Sequence, residues 1–169
     1  EEVPFGDKGE IRIAGPNLML GYYNNDAENE KIFHTDSSGT RWVCSGDYGY
    51  FDKDGLLYIS GRYKEMIIRE DGFKVFPSAI EEVLLLHPDI EECKVVGVKD
   101  NSTVQGELPK AFLVIKTNCP NSKEDIIDGL KKLVKEYCSE YSRPEEYTIL
   151  NKLPVTPIGK IDISKLKEL

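Results

Sequence analysis

Ser60-Gly61-Arg62-Tyr63-Lys64-Glu65-Met66-Ile67-Ile68 is the stretch that divides this chain. Before it the sequence is punctuated by Gly and Asp and reads as β-type. After it, strand and helix patterns alternate. A glycine and cations on a short polar step, set between two textures, read as a domain boundary. Taken alone, the same residues make an ordinary strand-end turn with a solvated Arg and Lys, so their weight depends on partners elsewhere in the chain.

Upstream, Glu10-Ile11-Arg12-Ile13 alternates as a half-buried strand should, and Gly15-Pro16 breaks it. Leu18 to Tyr23 is apolar and aromatic and ends at the Asn24-Asn25 turn signal. Asp26 to Phe33 predicts a short helix capped by Asn25 or Asp26. Gly39 to Asp47 reads as a turn, a strand and a small-residue step ending in a carboxylate. Tyr48-Gly49-Tyr50-Phe51 and Leu56-Leu57-Tyr58-Ile59 flank Asp54-Gly55 as a β-hairpin.

Downstream, Glu65 to Arg69 pairs with Phe73 to Phe76 across Glu70-Asp71-Gly72 as a second hairpin. Pro77-Ser78 opens a helix over Ala79–Leu86, stopped by His87-Pro88, with Ile80, Val83, Leu84 and His87 on one face. Strands are expected at Glu91–Val98 and Pro109–Ile115, joined by a polar loop from Lys99 to Leu108. Ser122 and Asp125 resemble a capping box. The helix after them carries Ile126, Ile127, Leu130, Leu133, Val134 and Tyr137 on one stripe. Tyr147–Leu150 is a short strand, Lys152–Ile161 a Pro/Gly-rich loop, and Ser164–Leu169 a helical tail. The β-rich section runs to about Ser60 and an α+β section takes the rest.

The 169 residues allow one sizeable core or two small ones. A net charge of −8 argues against broad binding to a phosphate backbone, which needs a basic face, and leaves a local basic nucleotide site open. Cys44, Cys93, Cys119 and Cys138 are widely spaced without a Cys-x-x-Cys, and there are two histidines, so zinc ligation is a weak reading. Buried, reduced thiols are the better one, which suits the cytosol. No apolar run is long enough to span a bilayer. Glu1-Glu2-Val3-Pro4-Phe5-Gly6 reads like mid-chain loop, so the chain is expected to be a piece of a longer protein.

Three local features could carry chemistry. In Ser45-Gly46-Asp47 a small-residue turn exposes a carboxylate, which can accept from two adjacent hydroxyls as ribose binding requires; alternatively Asp47 bonds its own backbone. In Gly61-Arg62-x-Lys64 a planar fork of donors can reach a phosphate or sugar, or form a surface salt bridge. Pro154-Val155-Thr156-Pro157-Ile158-Gly159-Lys160 is a restrained loop presenting one lysine, with glycine allowing close backbone approach; the bland version is a solvated lysine. It is not a Walker loop, since Ile161 follows the lysine and the first glycine is missing.

In this order and spacing, the three resemble one known set. Gly9-Glu10-Ile11, Gly15-Pro16 and Gly21-Tyr22-Tyr23 are similar to the "GEI…G…GY" segment of the adenylate-forming (AMP-binding) superfamily: acyl- and aryl-CoA synthetases, peptide-synthetase adenylation domains and beetle luciferases. Trp42-Val43-Cys44-Ser45-Gly46-Asp47 resembles its W-x-x-T-G-D motif, with Ser for Thr. Asp52-x-Asp54-Gly55, Gly61-Arg62-x-Lys64, Gly72-Phe73-Lys74-Val75 with Pro77-x-x-Ile80-Glu81, and Leu153-Pro154-x-Thr156-x-x-Gly159-Lys160-Ile161 follow in order. The resemblance covers essentially the whole chain and is nearest to acyl-CoA synthetases.

It implies residues 1–62 as the β-rich end of a large AMP-binding domain. Residues 63–169 would be a mobile C-terminal lid of antiparallel sheet plus helices. In such enzymes a carboxylate attacks the α-phosphate of ATP, giving an acyl-adenylate and pyrophosphate, and a thiol, usually coenzyme A, then takes the acyl group and releases AMP. Carried over, Asp47 holds the ribose hydroxyls, Arg62 contacts ribose or phosphate, Lys64 is the hinge, and Lys160 is the catalytic lysine of adenylation. Gly72, Phe73 and Lys74 would line the path of CoA. The magnesium that accompanies ATP would be held by the missing N-terminal domain of the same chain, and no residue here is assigned to a metal. The remaining partners are a small carboxylic acid, ATP and CoA, with no nucleic acid and no membrane span. Three departures stand out. The hinge residue is Lys where other members have Asp, and the Glu70-Asp71 hairpin is one residue longer than in luciferases or coumarate ligases. Ile68 replaces the luciferase lysine of the oxidative step, against a light-producing role. The alternatives are an adenylation domain that loads a carrier protein, and a detached non-catalytic lid.

Overall fold

The computed structural model describes residues 2–99 and 106–169. The chain divides into two compact units, one closing at Lys64 and the other beginning at Glu65. Residues 100–105, most of the polar loop expected between Lys99 and Leu108, lie outside the described residues.

In the first unit every strand pairs with β3 (Arg41–Phe51). β1 (Gly9–Ile13) runs antiparallel along one edge; β2 (Phe33–Thr35) and β4 (Leu57–Arg62) share the other edge, β2 against Arg41–Val43 and β4 against Asp47–Phe51. The sequence reading ended a strand at Ser45-Gly46-Asp47 and began another at Tyr48, whereas one strand runs through both. It can do so because it bulges. Glu10 faces Tyr48 and Arg12 faces Cys44, so Ser45, Gly46 and Asp47 stand against Ile11 alone. Gly46 absorbs the kink at φ +74, where a side chain would be strained. The hairpin turn is closed by Asp52, whose Oδ1 accepts from the N–H groups of Asp54 (2.9 Å) and Leu56 (2.8 Å). Helix α1 (Asp26–Ile32) is capped by Asn25, which accepts from the Glu28 N–H at 3.3 Å. Among the described residues of this unit no large hydrophobic side chain is buried.

The core lies in the second unit. A hairpin of β5 (Ile67–Ile68) and β6 (Lys74–Val75) leads into α2 (Pro77–Leu84). Then β7 (Ile90–Lys99) pairs antiparallel with β8 (Glu107–Ile115), and α3 (Lys123–Tyr137) carries the chain to β9 (Glu146–Leu150). This is the α+β class expected, with one refinement: the helical crossover returns β9 parallel to β8, so the three-stranded sheet is mixed.

Side chains alternate across that sheet. Cys93, Val95, Ala111 and Leu113 meet Ile80 and Leu84 of α2 and Ile126, Leu130 and Val134 of α3. Val96, Phe112 and Val114 face the other way and meet Leu153 and Leu166, the latter from α4 (Ile163–Lys167). Ser122 caps α3 by accepting from the Asp125 N–H at 3.1 Å. α2 stops at Leu84, two residues short of the expected end, leaving Leu85 and Leu86 exposed. Tyr137 also departs from expectation and is exposed, because the core stripe advances by fours from Ile126 through Leu130 and Val134 to Cys138. All four cysteines are free, yet only Cys93 is buried; burial, with the Glu81 carboxylate beside it, pushes its thiol up to about 12. Cys44, Cys119 and Cys138 are half-buried. No helix among the described residues is long and apolar enough to cross a membrane.

Candidate functional site

Asp47 and Arg62, fifteen residues apart, face each other across the β3–β4 ladder, with Arg62 Nε donating to Asp47 Oδ1 at 3.0 Å. A second bulge sets that register. From Phe51↔Leu57 to Gly49↔Ile59 the pairing is regular; Ser60 then stands unopposed, and Gly61 and Arg62 meet Tyr48 and Asp47. Without the extra residue Asp47 would face glycine. The Asp47 backbone N–H donates to Ser45 Oγ at 3.0 Å, so the serine hydroxyl holds the bulge while the carboxylate is committed to Arg62. Open space surrounds the missing side chain of Gly46. A carboxylate and a guanidinium fork beside a glycine step can take a vicinal diol and an anion together.

Lys64 is the centre of a 3₁₀ turn, Tyr63–Glu65, and is exposed. The Gly72 hairpin is closed by Gly72 N–H to Arg69 C=O (3.0 Å) and Arg69 N–H to Phe73 C=O (3.1 Å), with Gly72 at φ +80. Asp71 braces it by accepting from Arg69 Nε at 3.2 Å and from the Phe73 N–H at 3.2 Å. Phe73 stacks on Tyr141, ring centroids 4.4 Å apart, and Lys74 faces Ile68 in the ladder. Gly106 presses on the hairpin from outside: a Cβ there would lie 2.7 Å from the Glu70 backbone nitrogen. Tyr141 and Gly106 were not singled out in the sequence, since no local pattern links them to the hairpin.

Lys160 sits on the flank of another tight hairpin, in the second unit. Thr156 N–H donates to Lys160 C=O at 2.7 Å, Gly159 N–H to Thr156 C=O at 2.9 Å, and Val155 bridges Ile161. Gly159 takes φ +79. Among the described residues no hydrogen bond or ion pair engages the exposed Lys160 ammonium, whose own backbone N–H donates to Thr156 Oγ1 at 3.3 Å. The loop is held at both ends by one cluster, Leu153 before it and Leu166 after it. Asp162 ties the return, its N–H donating to the Pro154 C=O at 2.8 Å and its carboxylate capping α4. The structure therefore joins Asp47 to Arg62 in the first unit, and gathers Gly72, Phe73 and Lys74 on one hairpin and Lys160 on another in the second. No group of carboxylates, histidines or cysteines among the described residues could hold a metal ion.

Residues 79–160 match the family described as AMP-binding enzyme C-terminal domain. Over 99% of its length the chain is 34% identical to the acyl-CoA ligase sidI of Aspergillus fumigatus and 35% identical to 4-coumarate–CoA ligase-like 6 of Arabidopsis thaliana. Among solved structures, o-succinylbenzoate-CoA synthetase from Bacillus subtilis, in complex with an acyl-adenylate intermediate, superposes with a TM-score of 0.83 at 33% identity, covering 98% of this chain and 31% of that one. Amide bond synthetase McbA from Marinactinospora thermotolerans gives 0.82 at 31% identity, covering 99% and 32%. The chain carries the C-terminal domain of the AMP-binding, adenylate-forming enzymes, and both curated relatives named here are CoA ligases. It spans 28% of the length of both curated relatives.

Proposed function

We propose that this chain is the closing part of an ATP-dependent carboxylic acid–CoA ligase, its first unit completing the nucleotide site and its second acting as the moving lid. The observation that carries the reading is the Asp47–Arg62 pair, an acceptor and a donor fork set opposite each other by a bulge. In the proposed enzyme Asp47 accepts from the two ribose hydroxyls and Arg62 turns to ribose or phosphate. Both side chains are partly exposed, so their mutual bond is worth little and is readily exchanged for ligand.

Lys160 supplies an ammonium to the charge that spreads over the phosphoryl oxygens as the acid attacks the α-phosphate. Its place on an anchored two-strand loop fits that role, because the loop fixes the backbone while the side chain stays unpaired. In the second step the lid turns about Lys64, withdrawing Lys160 and presenting the Gly72 hairpin to the pantetheine arm. There Gly72, at the tip, leaves room that a side chain would narrow, and Phe73 and Lys74 flank the path. The residues described here offer no cluster for magnesium, and no step is assigned to it.

The test is made on the intact protein that carries this chain, comparing wild type with Lys160→Ala. Pyrophosphate release over a panel of carboxylic acids reads adenylation; thioester formation from pre-made acyl-adenylate reads the second step. Loss of the first by about 100-fold or more, the size of a removed electrostatic stabiliser, with the second spared, is expected. Neither step changing would make the loop purely structural. Supplying an amine or a carrier protein in place of CoA separates the ligase reading from the amide-forming and carrier-loading ones.

A further inference from the structure

One charge cluster of the second unit, Lys94 with Glu65 and Glu81, has no part in the proposed ligand chemistry. Lys94, on the edge strand β7, is largely buried, and its ammonium reaches Glu65 Oε2 at 2.8 Å and Glu81 Oε1 at 3.2 Å. The same Glu81 oxygen accepts from the Val95 backbone N–H at 2.9 Å. A carboxylate from α2 thus seals an open edge of the sheet and holds a lysine, and that lysine grips a carboxylate twenty-nine residues earlier. Burial works against the Lys94 charge, and the bond to Glu65 with the pull of Glu81 more than offsets it, holding the ammonium above its ordinary range.

Glu65 is the last residue of the 3₁₀ turn and the first of the second unit. Exposure ends abruptly there: Tyr63 and Lys64 are exposed, while Met66 and Ile67 are buried. We infer that Lys94, with Glu81 behind it, is a positioning residue that clamps Glu65 and confines rotation of the lid to Tyr63 and Lys64. The inference rests on the proposed hinge at Lys64. A pivot serves a two-step enzyme only if it is short: slack spreading into Glu65 and Met66 would leave the angle of the lid undefined in both steps. Tethering the residue next to the pivot to two rigid elements, a helix and a strand, removes that slack.

Limited trypsin proteolysis of the intact protein, mapped by mass spectrometry, tests this without relying on activity. Wild type, Lys94→Met and Lys94→Arg are compared for cleavage after Lys64, with cleavage after Lys131, Lys132 and Lys135 in α3 as the internal measure of global unfolding. Proteolysis of a locally opening segment tracks the population of its open form. Loss of one charge-assisted hydrogen bond in Lys94→Met should speed the cut after Lys64 by about ten- to a hundredfold. The α3 sites should not change, and Lys94→Arg should stay within about threefold of wild type because it keeps the positive charge and offers donors to both carboxylates. A Lys64 cut that is unchanged, or that rises only in step with the α3 sites, overturns the clamp. The two half-reactions are measured on the same samples, and Lys94→Met should alter the ratio of their rates by about fivefold or more. Equal scaling of both steps overturns the hinge role. Wild type without adenylation on any acid would sink the ligase reading and leave the proteolysis result to stand by itself.

Discussion

Leu166→Ala probes how the Lys160 loop is held. Leu166 is fully buried in the cluster formed by Val96, Phe112, Val114 and Leu153. Its removal deletes buried methyl groups and leaves a cavity between a sheet and a single short helix. Substitutions of this kind cost about 2–5 kcal/mol; α4 has five residues and can shift partway into the gap, which places the cost near the lower end, about 2–3 kcal/mol. A domain of this size is stable by about 5–15 kcal/mol, so the second unit should remain folded while its margin shrinks. Because Leu153 and Leu166 flank Lys160 on either side, the loss should be felt locally as well. Urea unfolding followed by circular dichroism reads the global term. Hydrogen exchange reads the local one, at the amides of Thr156, Gly159 and Asp162, whose backbone bonds close the loop. The half-exposed Leu85, changed to Ala, serves as control and should cost about 0.5 kcal/mol or less. A Leu166→Ala loss below about 1 kcal/mol, or exchange accelerated equally in α3 and in the loop, would refute the view that this leucine anchors the lysine.

Two further changes follow from close contacts and charges. Gly129→Ala lies inside α3, where alanine normally adds about 1 kcal/mol of helix stability; here the new Cβ would sit 2.6 Å from His87 Nε2, on a ring whose Nδ1 accepts from the Asp89 N–H at 3.3 Å. The variant should melt lower than wild type by differential scanning calorimetry, and a higher melting temperature would show that the imidazole moves aside freely. The Asp36 carboxyl is held down to about 2 by the Ser38 hydroxyl first, then by the Trp42 indole N–H at 2.8 Å and the backbone of Thr40 and Ser38. A depressed folded-state value contributes stability that is present above the unfolded value of about 3.9 and is lost as pH falls toward 2. Trp42→Phe should raise the Asp36 titration midpoint seen by NMR, and an unaltered midpoint would assign the effect to the Ser38 hydroxyl and the backbone donors without the indole.

Most of the fold was legible because its elements declare themselves locally. Asp54-Gly55 fixes one hairpin, Gly72 the other, Ser122 starts α3, and the spacing of Ile126, Leu130 and Val134 turns its face inward. What was misjudged depends on partners distant in sequence. Ser45-Gly46-Asp47 looks like the end of a strand because small residues and a carboxylate usually end one. It continues because β1 and β4 pair on either side of the bulge and satisfy the backbone around it. Tyr137 fits the helical stripe as well as Val134 does, but it is the last residue of α3, and the extended Cys138 that follows it packs on the core in its place.

The same distinction separates the two charge pairs. Asp47 and Arg62 were each visible as motif residues, and the hairpin turn at Asp54-Gly55 already implied that their strands meet. Their direct opposition was hidden, because it depends on a one-residue bulge at Ser60 that shifts Arg62 into the place glycine would have had. Lys94 gave no sign at all. In the sequence it is one lysine in a strand that also carries Glu91 and Glu92, and a solvated cation is the natural reading. Its significance arises only when α2 folds onto β7 and brings Glu81 to the strand edge, at which point burial makes the ammonium costly unless two carboxylates meet it. A motif marks where ligand chemistry is performed. The groups that hold the motif in place are charged or apolar residues of no distinctive spacing, and only the packed structure distinguishes them from their neighbours.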